Sequence, residues 1–211
     1  MPPSPGTQRS WWRSPMRERA HQRRLFRDRP TAVAAVATSA LLTVLEITDA
    51  FTPAAPDDEV RDQHTSVWFS AAMATAITGS IITLRVNRPI PQHPRTWWAG
   101  LGLVWNGAIV NRLARRQLGA NYRSRITVVP DHQVIRTGLY RHARHPMYSG
   151  STLICIGIAT TLTAPASALW SLPILSLIHR IQVEEAALRA ALGSEYAHYR
   201  EGRARLIPGI W

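Results

Sequence analysis

The sequence predicts an all-α protein, an integral membrane helical bundle of about five transmembrane segments, two of them joined as a helical hairpin. Three observations predict it. Apolar runs close to bilayer length recur along the 211 residues, and a helix needs about 20 such residues to cross a membrane. The cationic charge sits in two blocks beside those runs, as in proteins held at an anionic leaflet. Tryptophans open several of the runs at the depth where indole rings settle between lipid and water.

The charge narrows the function classes. All 25 basic residues are Arg, against 13 acids, which leaves a formal charge of +12. Such a balance suits nucleic acid or anionic lipid. Its placement beside apolar runs selects the membrane, so no nucleic-acid partner is expected, and no metal. Cys155 is the sole cysteine, so an intramolecular disulfide is excluded and a buried, inert thiol is expected.

The elements follow in chain order. Residues 1–29 hold eight Arg and two acids with no apolar periodicity, which reads as a flexible basic N-terminal arm with Trp11 and Trp12 at the lipid interface. It lacks the cleavage site of a signal peptide. Residues 30–96 carry the N-terminal transmembrane segments. Thr31–Ala50 is the first apolar run; because charge in lipid is costly, Glu46 and Asp49 either face the bundle or mark the exit of the run, and the exit is the favoured reading. Pro53–His64 is a polar loop, Val67–Leu84 the second span, and Arg85–Arg95 a proline-rich connector.

Residues 97–211 form the core. Trp97–Leu113 is the third span. Arg112–Arg144 is a basic segment with eight Arg and one acid, too polar to cross. Gly150–His179 contains no Asp, Glu, Lys or Arg. As a single helix it would be about 45 Å long, well beyond a bilayer core. Pro165 interrupts it, so two short spans are expected, Gly150–Leu162 and Ala166–His179. The second continues as an amphipathic helix to Leu192 and stops at a Gly193 cap. The positive-inside bias places 112–144 and the tail in the cytoplasm. It leaves the N-terminal side open, because five full crossings do not satisfy both basic blocks.

Two stretches carry chemistry. The first is Gly138-Leu-Tyr-Arg-His-Ala-Arg-His-Pro-Met-Tyr-Ser-Gly150, which gathers Tyr140, Arg141, His142, Arg144, His145 and Tyr148 at the mouth of a span. Tyrosine faces there suit a sulfonium; the same composition also suits a basic collar touching lipid phosphates. The second is Arg180-Ile-Gln-Val-Glu184-Glu185. Arg180 and Glu184 share a helix face, either as a surface ion pair or as charges used at the membrane edge. Glu185 reads as structural.

Together the two stretches resemble the isoprenylcysteine carboxyl methyltransferase family and the related phospholipid methyltransferases. The residues that carry the match are Gly138, Tyr140, Arg144-His145-Pro146, Tyr148, Gly150, Arg180, Glu184, Glu185, Gly193, Tyr196 and Pro208, and Leu118-Gly119 resembles the family's lead-in. The resemblance covers residues 97–211. It implies a methyltransferase core with a cytoplasmic pocket for S-adenosyl-L-methionine, and a lipophilic small-molecule or lipid substrate. It implies that His132, Gln133, Val134 and Ile135 form a strand-like stretch along the cofactor. Tyr140, His145, Pro146, Met147 and Tyr148 would line the rest of the pocket. Glu184 would hold the cofactor's polar end, and Arg180 would meet the substrate's carboxylate, making these two the catalytic pair.

A carboxylate acceptor is already ionised at neutral pH and needs orientation by Arg180 rather than a base. An amine acceptor would call on Glu184, Glu185 or His145. The all-Arg composition looks like a GC-rich bacterial coding sequence, which leaves the acceptor open among isoprenoid acids, fatty acids, phospholipid amines and lipophilic natural-product intermediates. Two alternatives stand beside this expectation. One is a membrane NADPH-dependent reductase of the steroid reductase type, whose similar Arg-His-Pro-x-Tyr element usually shows Asn where this chain has Met147. The other is a non-catalytic membrane scaffold.

Overall fold

Asp62 starts the described helical chain by capping the helix that follows. Its backbone carbonyl accepts the Thr65 amide at 2.8 Å. Its carboxylate accepts the Thr65 hydroxyl at 2.5 Å, the Ser66 amide at 3.1 Å and the Ser66 hydroxyl. Between cap and helix, Gln63 and His64 both take left-handed backbone angles, φ 44° and 63°, which side chains other than glycine adopt at a cost. The helix α1 (Thr65–Val86) then runs through small and apolar residues.

The computed structural model describes residues 59–60, 62–86, 94–119, 122, 127–128, 134–162 and 166–209. All lie in one unit spanning Leu41–Trp211. After α1 come α2 (Pro94–Leu118), a 3₁₀ turn at Gly138–Arg141, α3 (Pro146–Thr161), the short α4 (Ala166–Leu169) and α5 (Ser171–Arg200). The one sheet among the described residues is an antiparallel pair, β1 (Glu59–Val60) with β2 (Thr127–Val128), in the register Glu59 to Val128. The fold is therefore almost wholly helical. The basic arm 1–29, the first apolar run 31–50 and the 163–165 turn fall outside the described residues.

Two glycine pairs bring α2 and α3 backbone to backbone. A Cβ on Gly100 would sit 2.7 Å from the Gly157 carbonyl oxygen, and one on Gly107 2.5 Å from that of Gly150. Each pair is two turns from the other, and the pairing order makes the helices antiparallel. Small residues at such seams let helices pack where lipid gives no hydrophobic drive. Asn111 locks the end of the seam, donating to the Ser151 hydroxyl at 3.0 Å and accepting from Arg115 Nε at 2.8 Å.

The other layer is α1 against α4 and α5. Trp170 Nε1 donates to Ser80 Oγ at 3.1 Å, and Ala76, Cys155 and Trp170 form a buried cluster. Tyr148, Leu177 and Ile181 form a second, with Phe69 and Leu206 against it. The two limbs of the expected hairpin touch at these clusters, while the long partner of α3 is α2.

Outward-facing Val67, Trp68, Ile82, Ile109 and Leu175 are each more than half exposed. Apolar helix faces left uncovered over this extent are faces for lipid. Among the described residues, one stretch, Thr65–Thr83, is long and apolar enough to cross a bilayer. It coincides with the second expected span.

Three boundaries differ from the sequence expectation. Helix α3 begins at Pro146, not Gly150, because proline at the first helical position forfeits no hydrogen bond. Gly193 takes φ 51° and ψ −122°, which breaks the helix as expected of a cap, but the chain re-enters helix to Arg200. Val134 and Ile135 lie outside regular structure; the strand residues are Thr127 and Val128.

Replacing Gly150 with Ala should lower the melting temperature in detergent, because overpacking a closed seam costs about 1–3 kcal/mol. Gly102→Ala is the control, since a Cβ there meets nothing within 4 Å. Equal melting of the two variants would show that the seam is not closed.

Candidate functional site

Proline and glycine set the entry to the site. Gly138, at φ 59°, turns the chain into the 3₁₀ segment that buries Tyr140. A parallel bridge between Ala143 and Ala204 then ties the 142–145 strip to the C-terminal tail. The Arg144 and His145 amides donate to the carbonyls of Ala204 and Arg205 at 2.8 and 2.9 Å. Pro146 starts α3 directly afterwards, so Tyr148 is presented on its first turn toward α5.

Tyr148 joins the two chemical stretches. Its hydroxyl donates to Glu184 Oε2 at 2.7 Å and accepts from Arg180 Nε at 3.0 Å. Arg180 and Glu184, one turn apart on α5, thus meet the Tyr140–Tyr148 stretch through one phenol. The His145 ring stacks on Tyr148 at 5.6 Å between centroids, with planes 14° apart. Its Nδ1 lies 3.8 Å from Glu184 Oε2 and its Nε2 3.4 Å from Glu185 Oε1.

The two glutamates differ sharply. Glu184 keeps 28% of its side chain exposed, so its carboxylate remains available to a ligand. Glu185 is buried at 1% exposure. Arg144 Nη1 pairs with its carboxylate at 2.5 Å and Arg205 Nε approaches at 3.6 Å. Burial alone would push the Glu185 pKa up; the His145 hydrogen bond and the Arg144 and Arg205 charges outweigh it and hold the value below the usual carboxylate range. Glu185 is thus the counter-charge of the turn, which agrees with its structural reading.

Arg180 is not a surface cation. It is 7% exposed, and its Nη1 donates to Asp62 Oδ1 at 3.3 Å and to Thr65 Oγ1 at 3.2 Å. Burial opposes ionisation of Asp62, but the Ser66 and Thr65 hydrogen bonds and the Arg180 charge prevail, so its pKa is lowered. Arg180 and Glu184 are joined through a relay, Asp62–Arg180–Tyr148–Glu184.

Tyr140 is buried and its carbonyl accepts the Tyr199 hydroxyl at 2.9 Å. Burial first, then the nearby Glu184 charge, pushes the Tyr140 phenol up, so it stays neutral. Pro146 is buried and Met147 partly so, packed against the Tyr148 cluster. Val134 and Ile135 are partly buried, while His132 and Gln133 lie outside the described residues. Sequence reasoning placed Asp62 in a loop and missed it as the partner of Arg180. The signal was Asp62 followed by Thr65 and Ser66, the spacing of a helix cap. Tyr196, named in the sequence among the motif residues but given no role there, is 3% exposed, and its hydroxyl finds no hydrogen-bond partner among the described residues.

Glu185, like Asp62, contributes to the pH dependence of folding at this site. Its folded-state pKa lies below the ordinary value, so its stabilisation is present above the ordinary carboxylate pKa and lost as pH falls through the folded value. Glu185→Gln should therefore lose about 3–5 kcal/mol at neutral pH and show a flatter decline in acid. Melting temperatures between pH 7 and about pH 3 measure both; parallel curves for the two proteins would contradict it.

The sequence model of the isoprenylcysteine carboxyl methyltransferase (ICMT) family matches residues 100–190, a stretch that includes α3, Tyr148, Arg180, Glu184 and Glu185. The chain is 30% identical over 122 residues to the protein-S-isoprenylcysteine O-methyltransferase of Dictyostelium discoideum, which covers 54% of this chain and 50% of that protein. It is 32% identical over 118 residues to a probable protein-S-isoprenylcysteine O-methyltransferase of Oryza sativa subsp. indica, covering 53% and 62% of the two chains. With protein-S-isoprenylcysteine O-methyltransferase A of Arabidopsis thaliana it shares 26% over 149 residues, 67% and 74% of the two chains. The chain therefore spans about half to three-fifths of the first two relatives. These matches fall on the part of the chain whose motif residues the fold brings together at Tyr148, and residues 100–190 are similar to the isoprenylcysteine carboxyl methyltransferase family.

Proposed function

We propose that this protein is an S-adenosylmethionine-dependent methyltransferase that O-methylates a lipophilic carboxylate where a bacterial cell membrane meets the cytoplasm. The observation that carries the reading is the Tyr148 bridge, which sets a buried cation and a partly exposed carboxylate three ångströms or less from one phenol. The names of the three relatives given above, each an O-methyltransferase or probable O-methyltransferase of an isoprenylcysteine, point the same way.

The residues suit an adenosyl sulfonium. The neutral faces of Tyr140 and Tyr148 offer cation–π stabilisation. The Glu184 carboxylate can accept from an ammonium or from ribose hydroxyls. The unpartnered Tyr196 hydroxyl supplies one more polar group, and a buried hydroxyl of this kind asks for a ligand partner. His145, Pro146 and Met147 would complete the pocket with His132, Gln133, Val134 and Ile135. When bound, the cofactor supplies an electrophilic methyl on sulfur.

The protein's share is position and electrostatics. Arg180 would turn the acceptor carboxylate toward the methyl through charge-assisted hydrogen bonds. Tyr148 holds the Arg180 plane through Nε while being held itself by Glu184, so acceptor side and cofactor side are set by a single hydroxyl. No general base is required of the site, since the carboxylate acceptor is ionised at neutral pH. The lipid-facing surfaces of α1 and α2 give an apolar acceptor a route from the bilayer.

Titration calorimetry of the detergent-purified protein with S-adenosylhomocysteine tests the reading. Saturable binding is expected, weakened about tenfold or more in Glu184→Ala, the scale of one lost charged hydrogen bond. Absence of binding to the folded protein would overturn the assignment.

A further inference from the structure

Arg180 has less room for a carboxylate than its proposed role demands. A guanidinium grips a carboxylate bidentately either through both terminal nitrogens or through Nε and one terminal nitrogen. Here Nε is engaged by the Tyr148 hydroxyl at 3.0 Å. Nη1 is engaged by Asp62 at 3.3 Å and Thr65 at 3.2 Å. A second carboxylate therefore cannot take either bidentate mode without displacing one of these partners.

The partners differ in what displacement costs them. Tyr148 is tied to Glu184 at 2.7 Å and packed between Leu177 and Ile181. Its release would undo the bridge between the two halves of the site. Asp62 loses one ion pair on leaving Arg180 and keeps its bonds to Thr65 and Ser66, so its carboxylate stays satisfied. Of these partners, Asp62 loses least on leaving Arg180.

We infer that Asp62 is an internal stand-in for the acceptor, a carboxylate that occupies Arg180 Nη1 until a ligand carboxylate replaces it, and so sets how strongly the site favours anionic acceptors. The inference rests on the reading of Arg180 as the acceptor anchor. Asp62 acts through Arg180 and is a positioning residue. While it remains ionised on Nη1, an incoming carboxylate meets a guanidinium already neutralised, and two like charges beside one cation oppose each other. An uncharged acceptor would feel no such competition.

The test compares wild type with Asp62→Asn, whose amide oxygen still caps α1. Equilibrium binding of S-farnesylcysteine, and of its matched C-terminal amide, is measured on the full chain in detergent without cofactor. S-adenosylhomocysteine binding is measured separately. The expected result is about tenfold tighter binding of the carboxylate by Asp62→Asn, with amide binding unchanged. Unchanged or weaker carboxylate binding would overturn the inference. So would equal tightening of both ligands, which would mean a general loosening of the site, and so would absence of carboxylate binding in both proteins. Loss of S-adenosylhomocysteine binding in wild type, with the carboxylate effect intact, would sink the methyl-donor reading and leave the role of Asp62 standing.

Discussion

Charge buried at the edge of an apolar bundle is tolerable only when it is paired, and that requirement ties four segments of this protein together. Arg180, deep on α5, draws the turn before α1 inward through Asp62. Glu185, five residues further along α5, draws in Arg144 from the loop before α3 and Arg205 from the tail. Both α1 and the tail also pack apolar side chains, Phe69 and Leu206, against the Tyr148 cluster. Each is further tied by a counter-charge, and the site between them takes its shape from those two networks together with that packing.

Tyr148 has a different task. It is neutral, buried and hydrogen-bonded on both sides, so it transmits position without adding charge. A carboxylate in its place would neutralise Arg180 outright, and an alkyl group would leave Nε without this acceptor. A phenol fixes the separation of Arg180 and Glu184 without adding charge, which suits the cationic donor and anionic acceptor proposed for the site.

The scaffold that holds this arrangement still is made by close approach rather than by bulk. Helices α2 and α3 meet at paired glycines, where backbone contact substitutes for the side-chain burial that drives soluble cores. Dispersion at short range is what remains once lipid removes the hydrophobic advantage of burial. Large apolar side chains such as Trp68 and Ile109 are left facing outward. The result is a rigid α2–α3 pair that delivers Pro146 and Tyr148 at a set angle to α5.

The chain by itself determined the elements that depend on local composition. Helical class, the second apolar run within α1, the break at Gly193 and the pairing of the Tyr140–Tyr148 stretch with Arg180 and Glu184 were all legible, because apolar length, glycine and motif order act over short distances. The structural role of Glu185 was legible too, although its partners were not. Tertiary structure alone decided that Asp62 belongs to Arg180, 118 positions away, that α3 packs along α2, and that the tail returns to residues 143–145. Those outcomes follow from which counter-charge and which glycine face come within reach after folding, and a linear sequence holds no measure of that distance.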